Sequence, residues 1–350
     1  MQPAIPIPRP RTWALALTAA LVIALATALW AWHTSQKTST MLAQPGRLQC
    51  PLPQQSADNQ HPGMVWVPGG EFPYGDTVYP EEQPVRKMAV AGFWMDRTEV
   101  TNDQFAQFVR ATGYVTIAER AVDAALHPGL PPGMRRPGAV VFVMPNALSG
   151  QGDLTQWWRY VAGAQWRHPG GPGTSIDGRV AFPVVAVTHA DALAYARWRG
   201  TSLPSEVQWE WAARGAQAGA VAVAHKQAVA ANTWQGLFPV VNSGEDGFVG
   251  LAPVGCYAPN AAGLFDMIGN VWELTADRWT PDHNTDAATA GDQAPLKRPP
   301  MSAQRVIKGG SFLCAPSYCM RYRAGARQPQ EEDLAASHLG FRTISLAPAP

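Results

Sequence analysis

The sequence predicts an α+β fold: a single compact domain over residues 64–345, low in regular secondary structure, preceded by one N-terminal transmembrane helix. Three observations lead there. Three helix starts carry the same capping signature of Ser or Thr with a polar partner three residues on. Around them run short β-type stretches joined by long loops, with glycine and proline at 32 each in 350 residues. Ahead of them lies a run, 13–32, without one charged residue. The 14 tryptophans suit such a chain, because large aromatics supply buried area where regular elements are few.

Composition narrows the class. Hydrophobic residues make up 46% and charged residues 15%, which excludes general disorder. A formal net charge of +1 offers no electrostatic footprint for nucleic acid. The 4 cysteines are too few for a disulfide framework in a domain of this size.

The N-terminus sets the compartment. Residues 1–12 carry Arg9 and Arg11 and read as cytoplasmic. Trp13–Trp32 has the length of one bilayer crossing, about 20 residues, and exceeds the usual core of a cleaved signal peptide. The bulky Leu29-Trp30-Ala31-Trp32 offers no small-x-small cleavage site, and Trp30 and Trp32 suit the far interface. The basic flank points inward, so the domain that follows is expected outside the cytoplasm, on the periplasmic or lumenal side. Cys50 lies too far from the apolar run to be a lipoprotein cysteine. Residues 33–63, polar and bearing Pro45, Pro51 and Pro53, form a linker.

Within 64–345, Met64-Val65-Trp66-Val67 reads as a strand running into a turn at Pro68-Gly69-Gly70. Thr101 with Gln104 opens a helix from Asn102 to about Ala111, closed by Gly113. Thr188 with Asp191 opens a second through Tyr195 and Trp198, closed by Gly200, although Asp is a weaker partner than Glu in this role. Ser205 with Gln208 opens a third from Glu206 to Ala213, closed by Gly215. The segments 121–185, 215–262 and 280–303 read as short strands and long loops. Loops of that length in a compact domain are functional or tied down by ions. The last, with Pro281, Pro295, Pro299 and Pro300, reads as a surface excursion. No repeat of 20–50 residues and no internal boundary is visible.

Chemistry concentrates near the C-terminus. Lys308-Gly309-Gly310-Ser311-Phe312-Leu313-Cys314-Ala315-Pro316-Ser317-Tyr318-Cys319 leads into Arg321-Tyr322-Arg323. Two converging thiolates can bind Cu(I) or cycle between dithiol and disulfide. A plain structural disulfide is the third reading in an oxidising compartment. The sequence has no dinucleotide-binding fingerprint, no haem motif and no iron triad, and its 8 histidines form no pair at metal-ligand spacing.

This segment resembles the active-site stretch of the formylglycine-generating enzymes, or sulfatase-modifying factors: Gly-Gly-Ser-x-x-Cys-x-x-x-x-Cys with Arg-x-Arg soon after. The resemblance extends to Phe93-Trp94-Met95-Asp96 with Glu99-Val100-Thr101-Asn102, to Ala164-Gln165-Trp166-Arg167 and to Leu203-Pro204-Ser205-Glu206. It continues through Ala231–Gly236, Asn242–Phe248, Gly263–Glu273 and Leu339-Gly340-Phe341-Arg342, so that it covers about 64–345. It implies the formylglycine-generating-enzyme fold, distantly C-type-lectin-like. It also implies copper-dependent oxidation by O2 of a cysteine to Cα-formylglycine, in a Cys-x-Pro-x-Arg segment of an unfolded sulfatase polypeptide, which activates the sulfatase.

By the same resemblance, Cys314 and Cys319 bind Cu(I) together with the substrate's own thiolate. Ser311 helps to order O2 or the substrate near them, Trp272 walls the pocket and Tyr318 lines it, although Trp272 reads equally well as core. Two structural Ca2+ sites are implied, the first from Asn232 and Asp246 with the carbonyls of Thr233 and Phe248. The second takes Asp266 and Glu273 with the carbonyls of Gly269 and Val271, and both are hard-oxygen sets suited to calcium.

The Gly269-Asn270-x-Trp272-Glu273 signature also occurs in relatives with other tasks, which generally lack the cysteine pair. Two alternatives therefore stand beside the oxidase: a non-catalytic peptide- or glycan-binding module, and an oxidative maturation factor for another exported peptide. Departures are visible. The four positions of two structural disulfides found in some relatives are here Ala196, Thr343, Ala213 and Ala324. Ala315 and His338 stand where many relatives have His and Asn. Whether Cys50 pairs with Cys256 is left open.

Overall fold

The computed structural model describes Cys50 and residues 60–123, 125, 129–148, 153–218, 230–283, 303–346 and 348, within one unit spanning Leu48–Pro350. The expected membrane segment 13–32 lies outside the described residues. Among those described, no helix is long and apolar enough to cross a membrane.

Eleven short strands and three helices carry the domain among the described residues. Strand β1 (Met64–Val67) and β4 (Phe93–Asp96) pair antiparallel, and β11 (Ile344–Ser345) adds to the other edge of β4. The hairpin β2 (Gly70–Tyr74) and β3 (Arg86–Val90) sits beside them. A second hairpin, β5 (Gly138–Phe142) with β6 (Trp158–Ala162), supplies short strands in the stretch 121–185, which the sequence reads as short strands and long loops. The four-stranded sheet runs β10 (Leu339–Gly340), β7 (Trp272–Arg278), β8 (Gln304–Lys308), β9 (Gln328–Glu331), parallel only between β10 and β7.

Helices α1 (Asn102–Thr112), α2 (His189–Arg199) and α3 (Glu206–Ala213) all begin at the predicted boxes. At α1, Thr101 N donates to Gln104 Oε1 at 2.8 Å, and Gly113 ends the helix at φ 68°. The Asp in the α2 box is sufficient, because Asp191 Oδ2 accepts from Thr188 N at 2.8 Å. Its other oxygen accepts from Tyr114 Oη and Ile117 N, each at 3.0 Å. The short side chain therefore caps α2 and also ties down the chain that leaves α1.

The helices bury two groups of apolar side chains. Phe105 and Phe108 of α1 pack with Tyr195 of α2, Trp166 and Phe341. Trp209 and Trp211 of α3 pack with Val67, Phe93 and Met95 of the β1–β4 sheet. Each such fully buried side chain contributes roughly 1.5–3 kcal/mol. The first group continues without a break to Trp272, Leu339, Tyr322 and Cys314, so the thiol segment is fastened directly to the core. Cys50 and Cys256 are joined by a disulfide, which answers the question left open by their spacing.

Candidate functional site

The two thiols meet because of a turn. Ala315 N donates to Tyr318 O at 2.7 Å and Tyr318 N returns to Ala315 O at 3.0 Å. Pro316 stands second in that four-residue turn, where its fixed φ suits the geometry. The next pair outward, Cys314 and Cys319, is brought side by side. Their sulfurs lie 2.9 Å apart and are not bonded to each other.

The approach to Cys314 is equally constrained. Gly310 has φ 76°, and a Cβ there would lie 2.9 Å from Tyr322 Cβ and 3.3 Å from Cys314 Sγ. Ser311, fully buried, donates its backbone N–H to Cys314 Sγ at 3.4 Å and accepts the Cys314 N–H at 2.9 Å. Its hydroxyl accepts from Leu313 N at 3.3 Å. Upstream, Lys308 lies buried between Glu206 (3.4 Å) and Glu210 (3.2 Å) of α3. Burial alone would raise Glu206, but Lys308, His283 and Arg327 hold it down to about 2.

The two sulfurs differ. Cys314 is completely buried, and burial pushes its thiol well up. Cys319 is half-buried, and the hydrogen bond from Cys314 together with Arg321 holds it below the usual thiol range. The pair is thus a proton-bearing inner sulfur and a more acidic outer one.

Trp272 is 1% exposed and packs in the same core group as Cys314, so it backs the pair and presents no open wall. Tyr318 is half-buried and stacks on Phe238 at 3.9 Å with an interplanar angle of 5°. Its hydroxyl lies beside the indoles of Trp157 and Trp158. Phe142, Trp157, Trp158, Trp234 and Phe238 form the rest of this aromatic wall. His338 packs against Trp158 at 4.6 Å between ring centres with the rings tilted by 42°, and burial lowers it to about 4, so it is neutral near pH 7.

None of these wall aromatics apart from Tyr318 was singled out from the sequence, since they come from loops and a hairpin without a readable period. The acidic turn that receives Arg321 and Arg323 was also missed. Those arginines reach Glu81, Glu82 and Asp76, roughly 240 positions away in the chain. An Arg-x-Arg pair beside a buried site does require carboxylates, but that requirement names no partner.

In the first hard-oxygen set, Thr233 and Phe248 meet Asp246 through their backbone N–H groups and not through their carbonyls. Asp246 accepts from Thr233 N at 2.9 Å and Phe248 N at 3.1 Å. Asn232 spends its side-chain N–H groups on Gly250 O and Asn270 Oδ1, each at 2.9 Å, while its Oδ1 is buried with no hydrogen-bond partner. Burial pushes the Asp246 carboxyl up. A carboxylate short of positive charge and an orphaned amide oxygen in one loop system fit a hard cation.

The second set fits less completely. Asp266 accepts from Gly255 N at 2.6 Å, and burial raises it to about 6. Glu273, however, already holds Arg342 with both oxygens at 2.6 and 2.7 Å and accepts from Trp209 Nε1 at 2.8 Å. Glu99, not foreseen as part of this cluster, leaves Oε2 buried without a partner and is pushed well up, chiefly by burial and then by Asp266. Among the described residues, no group of three or more His, Cys, Asp or Glu is placed to hold a metal. The sulfur pair is therefore a two-donor set, and the first oxygen set has a single carboxylate, Asp246, beside an amide and carbonyls.

Comparisons with known proteins place the chain among relatives. Residues 49–347 match the family model of the sulfatase-modifying factor enzyme 1-like domain. The chain is 46% identical to the formylglycine-generating enzyme of Mycobacterium tuberculosis, over 81% of this chain and 97% of that protein. It is 37% identical to the inactive Cα-formylglycine-generating enzyme 2 of Mus musculus, over 87% and 92% respectively. Among solved structures, PvdO from Pseudomonas aeruginosa superposes with a TM-score of 0.51 at 23% identity, covering 81% of this chain and 93% of that one. That likeness concerns the fold alone.

Proposed function

The chain belongs to the sulfatase-modifying factor enzyme 1-like family, and from that premise we propose that it converts a cysteine of an unfolded sulfatase segment, of Cys-x-Pro-x-Arg type, into formylglycine with O2. The observation that carries the reading is the Cys314–Cys319 pair: two unbonded sulfurs 2.9 Å apart, one buried and one half-buried. A likeness that includes an inactive relative makes the pair, and not the fold, the deciding feature.

The soft sulfur donors suit Cu(I), which when bound would supply one-electron reduction of O2. The residues of this chain do the rest. Cys319, the outer and more acidic sulfur, meets the substrate cysteine first. Cys314 keeps its proton, gives its hydrogen bond to Cys319, and is held by Ser311 N. Trp272 and Tyr322 close the inner side against water. Tyr318 and the indoles beside it offer an apolar floor on which an extended peptide can lie. A folded substrate could not bring its cysteine to a sulfur held this close to the core, so the target segment must arrive unfolded.

Calcium at Asn232, Thr233, Asp246 and Phe248 is part of the proposal, supported by the orphaned Asn232 oxygen. A second ion would rest on Asp266 with the carbonyls of Gly269 and Val271, since Glu273 is committed to Arg342. Anchorage through residues 13–32, with the domain on the periplasmic or lumenal side, completes the reading. It is supported by the charge-free run and by the Cys50–Cys256 disulfide, a bond that persists in oxidising compartments.

The test is conversion of a synthetic Cys-x-Pro-x-Arg peptide by the copper-loaded protein in air, followed by aldehyde-specific labelling and mass spectrometry. Labelled peptide is expected. Peptide binding without aldehyde would favour the binding-module reading, and conversion only of unrelated exported peptides would favour a different maturation role.

A further inference from the structure

The acidic turn Asp76–Glu82 takes no part in the chemistry above, yet three arginines from the segment after Cys319 converge on it. Arg321 sends Nε (3.0 Å) and Nη2 (2.6 Å) to a single oxygen, Glu81 Oε1, and its guanidinium lies over the Tyr79 ring at 4.1 Å. Arg323, 1% exposed, pairs with Asp76 and reaches Glu82 Oε1 at 2.6 Å. Arg327 Nη1 donates to the Glu81 carbonyl at 3.1 Å. The turn is closed on itself by Tyr79 N to Glu82 Oε2 (3.3 Å) and Glu82 N to Tyr79 O (3.1 Å).

The Arg321 pair differs from the Arg323 pairs. Arg323 is buried and holds the segment in place, whereas Arg321 and Glu81 keep 23% and 18% side-chain exposure. Arg321 also sits two residues after Cys319, and its backbone N–H donates to Cys319 O at 2.7 Å. Cys319 has φ 56°, the left-handed region that a residue with a Cβ adopts only when its surroundings impose it. A glycine would take this position without strain, but a glycine has no sulfur.

We propose that Glu81 is a positioning residue for Cys319: by fixing Arg321 against Tyr79, it imposes the left-handed turn that keeps the Cys319 sulfur opposite Cys314. The inference rests on reading the sulfur pair as a soft-metal site. Its plain competitor is a partly exposed ion pair of little consequence. The two differ in magnitude, because residues that orient metal ligands typically cost 10–100-fold in affinity when removed.

Anaerobic competition for Cu(I) against a chromophoric chelator, on the full chain, separates them. Glu81→Ala is expected to weaken Cu(I) binding by about tenfold or more, and Glu81→Asp, which keeps the charge, to recover most of that loss. Tyr79→Leu removes the ring under the same guanidinium, which Glu81 holds by its edge, and should follow Glu81→Ala, which provides a second measurement if one variant folds poorly. Glu71→Ala breaks the exposed Glu71–Lys87 pair and should leave the affinity unchanged. Wild-type affinity in Glu81→Ala, or an equal loss in Glu71→Ala, overturns the inference alone. A wild-type protein that takes up no Cu(I) overturns the soft-metal reading beneath it.

Discussion

Arg342 donates to both carboxylate oxygens of Glu273, Nη2 to Oε1 at 2.6 Å and Nε to Oε2 at 2.7 Å, with both residues fully buried. The same guanidinium donates to Asp96 O at 3.2 Å and Phe265 O at 2.9 Å. One side chain thereby ties β7, the end of β4 and the loop before β7 to the stretch that follows β10. The two residues belong to two of the sequence signatures, Gly-Asn-x-Trp-Glu and Leu-Gly-Phe-Arg, and the ion pair gives both signatures a single physical reason.

Glu273→Gln should therefore destabilise the domain by about 3–5 kcal/mol, the usual cost of leaving one member of a buried pair uncompensated. Urea unfolding measures it. A loss below about 1 kcal/mol would mean that water reaches Arg342 in the folded protein.

Cys314→Ser and Cys319→Ser should each abolish aldehyde formation. Their effects on stability should differ: Cys314 is wholly buried, so a hydroxyl there costs about 1–2 kcal/mol, whereas Cys319 is half-buried and its replacement should be nearly silent. Full activity in either variant would remove the sulfur pair from the mechanism.

Chelation should lower the melting temperature, and added Ca2+ should restore it, by the ordinary linkage of a ligand bound only to the native state. Asn232→Ala and Asp246→Asn should each weaken the response to Ca2+, leaving the part that belongs to the second ion. A melting curve indifferent to EGTA in the wild-type chain would show that these loops hold no ion.

His189 gives a pH signature away from the site. Burial lowers it to about 4, while an unfolded histidine titrates near 6.5. The folded state therefore resists protonation: the contribution is present in full above about pH 6.5 and is lost as pH falls toward about 4, up to roughly 3 kcal/mol. Stability measured between pH 7 and 5 should fall in the wild type and fall less in His189→Phe. Equal slopes would place the proton elsewhere.

Protease added to intact spheroplasts should digest the domain while the membrane fraction retains an N-terminal remnant. A protected domain would reverse the topology, and a full-length soluble species would remove the anchor.

What could be read from the chain follows the range of the forces involved. The three helix boxes were legible because Thr101 and Gln104, Thr188 and Asp191, or Ser205 and Gln208 settle the matter within one turn of backbone. The sulfur pair was legible for the same reason, since Pro316 and a four-residue turn bring Cys314 to Cys319. The wall of Trp157, Trp158 and Phe238 was not legible, because its members are chosen by packing across distant loops. Glu81 was hidden by the long stretch of chain between it and Arg321. The second oxygen cluster is a cation site by the resemblance alone, and the sequence does not show that Arg342, from the far end of the domain, answers Glu273.

The Cys50–Cys256 bond has a consequence for how the domain can be released. It joins positions separated by 206 residues, so a cut anywhere between them leaves two pieces still joined through sulfur. A protease that severs the linker within 51–59 would not set the domain free: the piece ending in Cys50, with everything N-terminal to it, would remain attached. Shedding from the membrane by that route requires two events, hydrolysis and reduction. In a non-reducing gel such a cleaved protein would migrate as an uncut chain, and only added thiol would reveal the cut.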